Sequence, residues 1–113
     1  MKKILLVDDD LVIQSMIGGV LNEQGYDVIV ASSGRDVLTL VQQHAPDVLV
    51  IDAYMDDKDG IETLVELSEK DLDIMIIGIS QDPNILPVMR HFGVTATLAK
   101  PVDMQALLDT IEA

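Results

Sequence analysis

Three runs in this chain are apolar from end to end: Ile4–Val7, Val48–Ile51 and Ile74–Ile79. Each has the length of a strand rather than a helix. A strand without polar alternation is buried on both faces, which is the condition of a parallel sheet covered on both sides. That requirement rules out a half-exposed antiparallel sheet and demands helices above and below. The run at residues 47–52 closes abruptly on Asp52 and opens into the charged loop Tyr54-Met55-Asp56-Asp57-Lys58-Asp59-Gly60.

The segments between the strands have the helical period. Ile13, Met16, Ile17 and Val20 fall on one face, with Asp10 as N-cap and Gly25 as a stop. Gly18-Gly19 inside that helix each cost up to about 1 kcal/mol relative to alanine, which points either to close packing or to a soft helix. A second strand spans 26–31. Ser32 or Ser33 then caps a helix carrying Val37, Leu40 and Val41, which ends at Ala45-Pro46.

A third helix starts at about Gly60, with Ile61, Leu64 and Val65 inward and Glu62, Glu66 and Glu69 outward. Residues 83–92 read as a short helix that Pro87 kinks or shortens. A fifth strand covers 94–98, and Asp103 caps a last helix with Met104, Leu107, Leu108 and Ile111 on one face. Methionines 16, 75, 89 and 104 read as core filler. Five β-α units with short connections predict one α/β domain over 1–113, a doubly wound five-stranded parallel sheet with helices on both faces.

Composition narrows the function. With 20 acidic against 7 basic residues the net charge is −13, which repels nucleic acid and anionic membrane surfaces alike. No apolar run reaches the roughly 18 residues of a membrane span, and the four-residue run after Lys3 is shorter than a secretory core segment. The expectation is a cytoplasmic protein. Cysteine is absent, so neither disulfides nor thiolate metal sites arise.

Four strands end in polar residues: Asp8-Asp9, Asp52, Ser80 and Lys100. Parallel strands bring these ends to one edge, where open α/β sheets bind ligands. Two carboxylates about 4 Å apart repel by on the order of 4 kcal/mol at an effective dielectric near 20, so a cation or raised pKa values are implied. Oxygen ligands suit Mg²⁺. A carboxylate nucleophile with Mg²⁺, a lysine and a hydroxyl is equipped for phosphoryl transfer to Asp52. Plainer readings stand beside this one. Asp8 and Asp9 are also good helix caps, and Ser80 alone reads equally well as a strand-end hydroxyl. Lys100, Asp56 and Asp57 also fit as solvated charges, and His44 and His91 as surface histidines near helix ends.

The pattern Ile4-Leu5-Leu6-Val7-Asp8-Asp9-Asp10, Asp52 with Met55 and Asp59-Gly60, Ser80, and Lys100-Pro101 resembles the receiver domain of two-component response regulators, over the whole chain and in order. The resemblance implies a flavodoxin-like fold with strand order 2-1-3-4-5. It implies that Asp52 accepts a phosphoryl group from a histidine kinase or histidine phosphotransfer protein, so that the chain catalyses only its own phosphorylation and dephosphorylation and changes its partner-binding face.

Carried over, Asp9 and Asp52 ligate Mg²⁺ through carboxylates, Tyr54 through its backbone carbonyl, and Asp8 through a metal-bound water. Lys100 pairs with the phosphoryl group or Asp52, and Ser80 is the switch hydroxyl. Tyr54 and Asp82 fall where the family tunes attack of water on the acyl phosphate. A cis Lys100-Pro101 bond and a homodimer through the fourth helix, fifth strand and fifth helix also follow by analogy.

The chain departs from the family at four places. Asp56 stands where proline is usual after Met55, and Gln81 where a small residue follows the switch hydroxyl. Thr97 occupies the place of the switch aromatic, and Pro87 lies in the fourth helix. These departures motivate a second reading, a degenerate receiver that acts as a phosphorylation-independent interaction module. A third, lower-ranked reading is a phosphohydrolase of the haloacid dehalogenase type, because Asp8-Asp9-Asp10 satisfies an Asp-x-Asp after the first strand. A flavin mononucleotide carrier is disfavoured by three aspartates where its phosphate loop would lie.

Overall fold

The computed structural model describes residues 2–113. The strands are β1 (Lys3–Val7), β2 (Asp27–Ala31), β3 (Val48–Asp52), β4 (Met75–Ser80) and β5 (Ala96–Ala99). Between and after them run α1 (Leu11–Glu23), α2 (Val37–His44), α3 (Gly60–Ser68), α4 (Leu86–His91) and α5 (Met104–Glu112). The strands form one parallel sheet in the order β2-β1-β3-β4-β5. The expected doubly wound, flavodoxin-like architecture is therefore observed.

The apolar runs divide by parity, as successive side chains on a strand must. Leu5, Val7, Leu49 and Ile51 face one way and join Val37, Val41, Leu64, Leu67 and Met89 from α2, α3 and α4. Ile4, Leu6, Val48, Val50, Ile77 and Ile79 face the other way, against Ile17 and Leu21 of α1 and Leu107 and Ile111 of α5. All five residues of β3 are buried. That double coverage is why its sequence shows no alternation.

Register aligns the strand ends. Val7 lies beside Ile51, Asp52 beside Ile79, and Ser80 beside Ala99. Asp8, Asp52, Ser80 and Lys100 therefore emerge at one edge. Asp10 caps α1 by accepting from Val12 N and Ile13 N, Asp59 caps α3 through Glu62 N, and Asp103 caps α5 through Gln105 N and Ala106 N.

Several expectations change in detail. Ser33 caps a short 3-10 turn, Gly34–Asp36, that precedes α2, through Arg35 N. Pro87 shortens α4 rather than kinking it. Leu86 opens the helix, so Pro87 sits in the first turn, where a missing N–H costs no intrahelical bond. Met16 is 59% exposed and Val65 38% exposed, so neither is core. Met89, by contrast, is fully buried. Its side chain lies so close to Gly78 that a methyl group there would stand 2.7 Å from the methionine Cε. In α1, Gly18 faces Leu6 at ordinary contact distance while Gly19 meets nothing. Close packing accounts for neither glycine.

Candidate functional site

The sheet's carboxyl edge carries a cleft of about 180 Å³ lined by Asp8, Asp9, Asp10, Asp52, Tyr54, Ser80, Gln81 and Lys100. The expected ligands and reactive residues, Asp8, Asp9, Asp52, Tyr54, Ser80 and Lys100, border it, whereas Asp82 does not line it. Two other cavities, of about 230 and 260 Å³, lie against the α3–β4 connection and lack this convergence of titratable groups.

Asp8 is fully buried and Asp52 is 6% exposed. Buried carboxylates require partners, and Lys100 supplies one to both. Its Nζ lies 2.7 Å from Asp8 Oδ2 and 3.2 Å from Asp52 Oδ1. The second Asp8 oxygen accepts from Asp10 N at 2.9 Å. One carboxylate oxygen each from Asp8, Asp9 and Asp52 lies within 4.8 Å of the others. This is the only such carboxylate trio among the described residues.

The electrostatics follow from one lysine facing three acids. Burial and the Asp8 charge push the Asp52 carboxyl up to about 6, with Lys100 opposing the rise and Asp9 adding to it. Burial disfavours the Lys100 ammonium, but its hydrogen bond to Asp8 and the Asp52 and Asp8 charges outweigh that and hold it above its usual value. One cation does not neutralise this cluster. Its donor set, oxygen atoms only and partly solvated, fits a small hard divalent ion.

Ser80 is 1% exposed at the end of β4, and its Oγ accepts from Asp82 N at 3.1 Å. That bond leaves the hydroxyl proton free to donate. Tyr54, which borders the cleft, is half-exposed, and its hydroxyl donates to Asp82 at 3.0 Å. The Asp82 carboxylate raises the Tyr54 pKa by accepting that bond. The Lys100-Pro101 peptide is cis.

The neighbouring loops show what sequence reasoning missed. Asp57 turns to Arg35 at 2.7 Å, within reach of Ser33 Oγ at 3.3 Å, and is not part of the carboxylate trio. Asp56 enters the site through its backbone, donating N–H to Asp9 Oδ2 at 3.0 Å. Gln14 bonds the Asp8 carbonyl at 2.6 Å and Ser32 Oγ at 3.0 Å. Thr97 accepts a hydrogen bond from Arg90 of α4. Only the Gln14 contact had a sequence signal, since a residue one turn into α1 faces the loop it follows.

Residues 4–112 match the family model of the response regulator receiver domain. The chain belongs to that family. It is 26% identical to sporulation initiation phosphotransferase F of Bacillus subtilis, over 98% of this chain and 91% of that protein. It is also 26% identical to the transcriptional regulatory protein PdtaR of Mycobacterium tuberculosis, over 98% of this chain but only 55% of that protein. The chain thus spans about half the length of such regulators. Among solved structures, the chemotaxis protein CheY4 of Vibrio cholerae superposes with a TM-score of 0.89 at 28% identity, covering 99% of this chain and 97% of that one. As a receiver domain, the chain is a signalling module of two-component systems. No described helix is long and apolar enough to cross a membrane.

Proposed function

We propose that Asp52 is the phosphoacceptor of this receiver domain, taking a phosphoryl group from the phosphohistidine of a histidine kinase or histidine phosphotransfer protein. The observation that carries this reading is the placement of Asp52, buried at the sheet edge within the carboxylate trio and 3.2 Å from Lys100 Nζ. A carboxylate oxygen of Asp52 attacks phosphorus while the bond to the donor nitrogen breaks, its electron pair leaving with the imidazole. The product is an acyl phosphate on Asp52.

Each residue has a part. Lys100 neutralises charge on the phosphoryl oxygens, and the free Ser80 proton donates to one of them. Asp8, Asp9 and Asp52, with the Tyr54 carbonyl, are the residues that would hold Mg²⁺. Bound there, the ion supplies charge neutralisation to the transferring group. Tyr54, tied to Asp82, shields the acyl phosphate from water.

The domain then acts by altering the face it offers a partner or a second copy in the cytoplasm. Thr97 has no ring to turn inward, and its hydroxyl is instead bonded to Arg90. That bond favours keeping a second reading, a phosphorylation-independent interaction module. Beryllofluoride with Mg²⁺ separates the two: amide shifts around Ser80 and Thr97 support switching, and unchanged spectra support the module.

Incubation with labelled acetyl phosphate and Mg²⁺ tests the acceptor. Wild type should label stoichiometrically and Asp52→Asn should not. Equal labelling of both would overturn the assignment.

A further inference from the structure

We infer that Asp56 is a positioning residue for the cation site, and that it acts through its backbone N–H by holding the Asp9 carboxylate toward Asp8 and Asp52. The inference rests on the reading that these three carboxylates hold Mg²⁺.

The three carboxylates are restrained in different ways. Asp8 is fully buried and held by Lys100 and by Asp10 N. Asp52 is buried beside Lys100. Asp9 lies on the loop after β1, and among the described residues its side chain takes one hydrogen bond, from Asp56 N at 3.0 Å. That bond spans 47 positions of chain and ties the loop after β1 to the loop after β3.

The bond and the ligand geometry coexist. Asp9 accepts from Asp56 while one of its oxygens stays within 4.8 Å of oxygens of both partners. An ionised carboxylate offers about four lone-pair sites, so one N–H leaves capacity for a cation. Holding the side chain in place beforehand removes part of the ordering cost of binding. Donors behind a ligand typically change metal affinity by about 10–100-fold.

The chemistry at residue 56 is therefore a matter of its backbone. Proline there has no N–H and cannot make the bond, whereas any other residue can. The exposed Asp56 carboxylate contributes only a screened charge at physiological salt.

Calorimetric titration with Mg²⁺ alone, at 0.15 M salt, tests this on wild type, Asp56→Ala and Asp56→Pro. Asp56→Ala should stay within about threefold of wild type, and Asp56→Pro should bind about tenfold more weakly than Asp56→Ala. Equal affinities for the two variants would overturn the inference alone. A wild type that binds no Mg²⁺ would overturn the cation reading and this inference with it. A second measurement needs no variant, should the proline substitution unfold the domain. Hydrogen exchange of the Asp56 amide in wild type should stay slow, or slow further, as Mg²⁺ saturates the site. Faster exchange would mean that the N–H competes with the ion, and the positioning role would be lost.

Discussion

Asp52 is held where its charge is costly. Burial and Asp8 raise its carboxyl from an ordinary 3.8 to about 6. Between those values the folded protein binds a proton that the unfolded chain does not, so this group's contribution to stability is complete below about pH 4 and lost as pH rises through 6. Without divalent cation, Asp52→Asn should remove that slope. At pH 7.5 it should be more stable than wild type by about 1–3 kcal/mol, and at pH 4 nearly equal. Urea unfolding in chelator at both pH values checks this, and a variant less stable at pH 7.5 would refute it. A second expectation concerns Tyr54, which borders the cleft and whose hydroxyl is bonded to Asp82. The acyl phosphate on Tyr54→Ala should hydrolyse faster than on wild type, with Tyr54→Phe between them. Loss of label after removing the donor measures it, and equal rates would dismiss the shield.

Among the elements, α1 carries an avoidable weakness. Gly19 is exposed in mid-helix and an added methyl group meets nothing. Gly19→Ala should raise stability by about 0.5–1 kcal/mol, measured as a higher urea midpoint at unchanged slope. The opposite is expected at Gly60, the first residue of α3, where a methyl group would stand 2.1 Å from the Asp52 carbonyl oxygen. There the helix start presses on the strand that carries the acceptor, so Gly60→Ala must shift one of them. The caps at Asp10 and Asp103 were legible element by element, because a cap depends on residues three apart or fewer, whereas the Asp59 cap of α3 was not read from the sequence. Helix faces were legible only at their centres. Leu107 and Ile111 lie inward as their spacing required, whereas Met16 and Val65 sit at the margins of their stripes and turn to solvent.

For the molecule as a whole, folding and the cation site are linked. Three carboxylates crowd together while one half-buried lysine pairs with only two of them, Asp8 and Asp52, so a divalent ion binding the folded state stabilises it by mass action. At a hundredfold excess over its Kd, Mg²⁺ should add about 2.7 kcal/mol, seen as a rise in Tm for wild type that is absent in Asp9→Asn and Asp52→Asn. No such difference would separate the acidic cluster from cation binding.

Strand identity and the convergence of Asp8, Asp9, Asp52, Ser80 and Lys100 were open to a reader of the sequence, while the strand order came only through the family resemblance. Fully apolar runs report burial on both faces, and parallel connection sends every strand end to one edge. The tertiary structure alone decided how the loops at that edge are joined: Asp56 N–H to Asp9, Asp57 to Arg35, Tyr54 to Asp82, Thr97 to Arg90. A backbone N–H looks the same at every residue but proline, and loop side chains follow no period. Their pairing exists only once the sheet has set the distances between them.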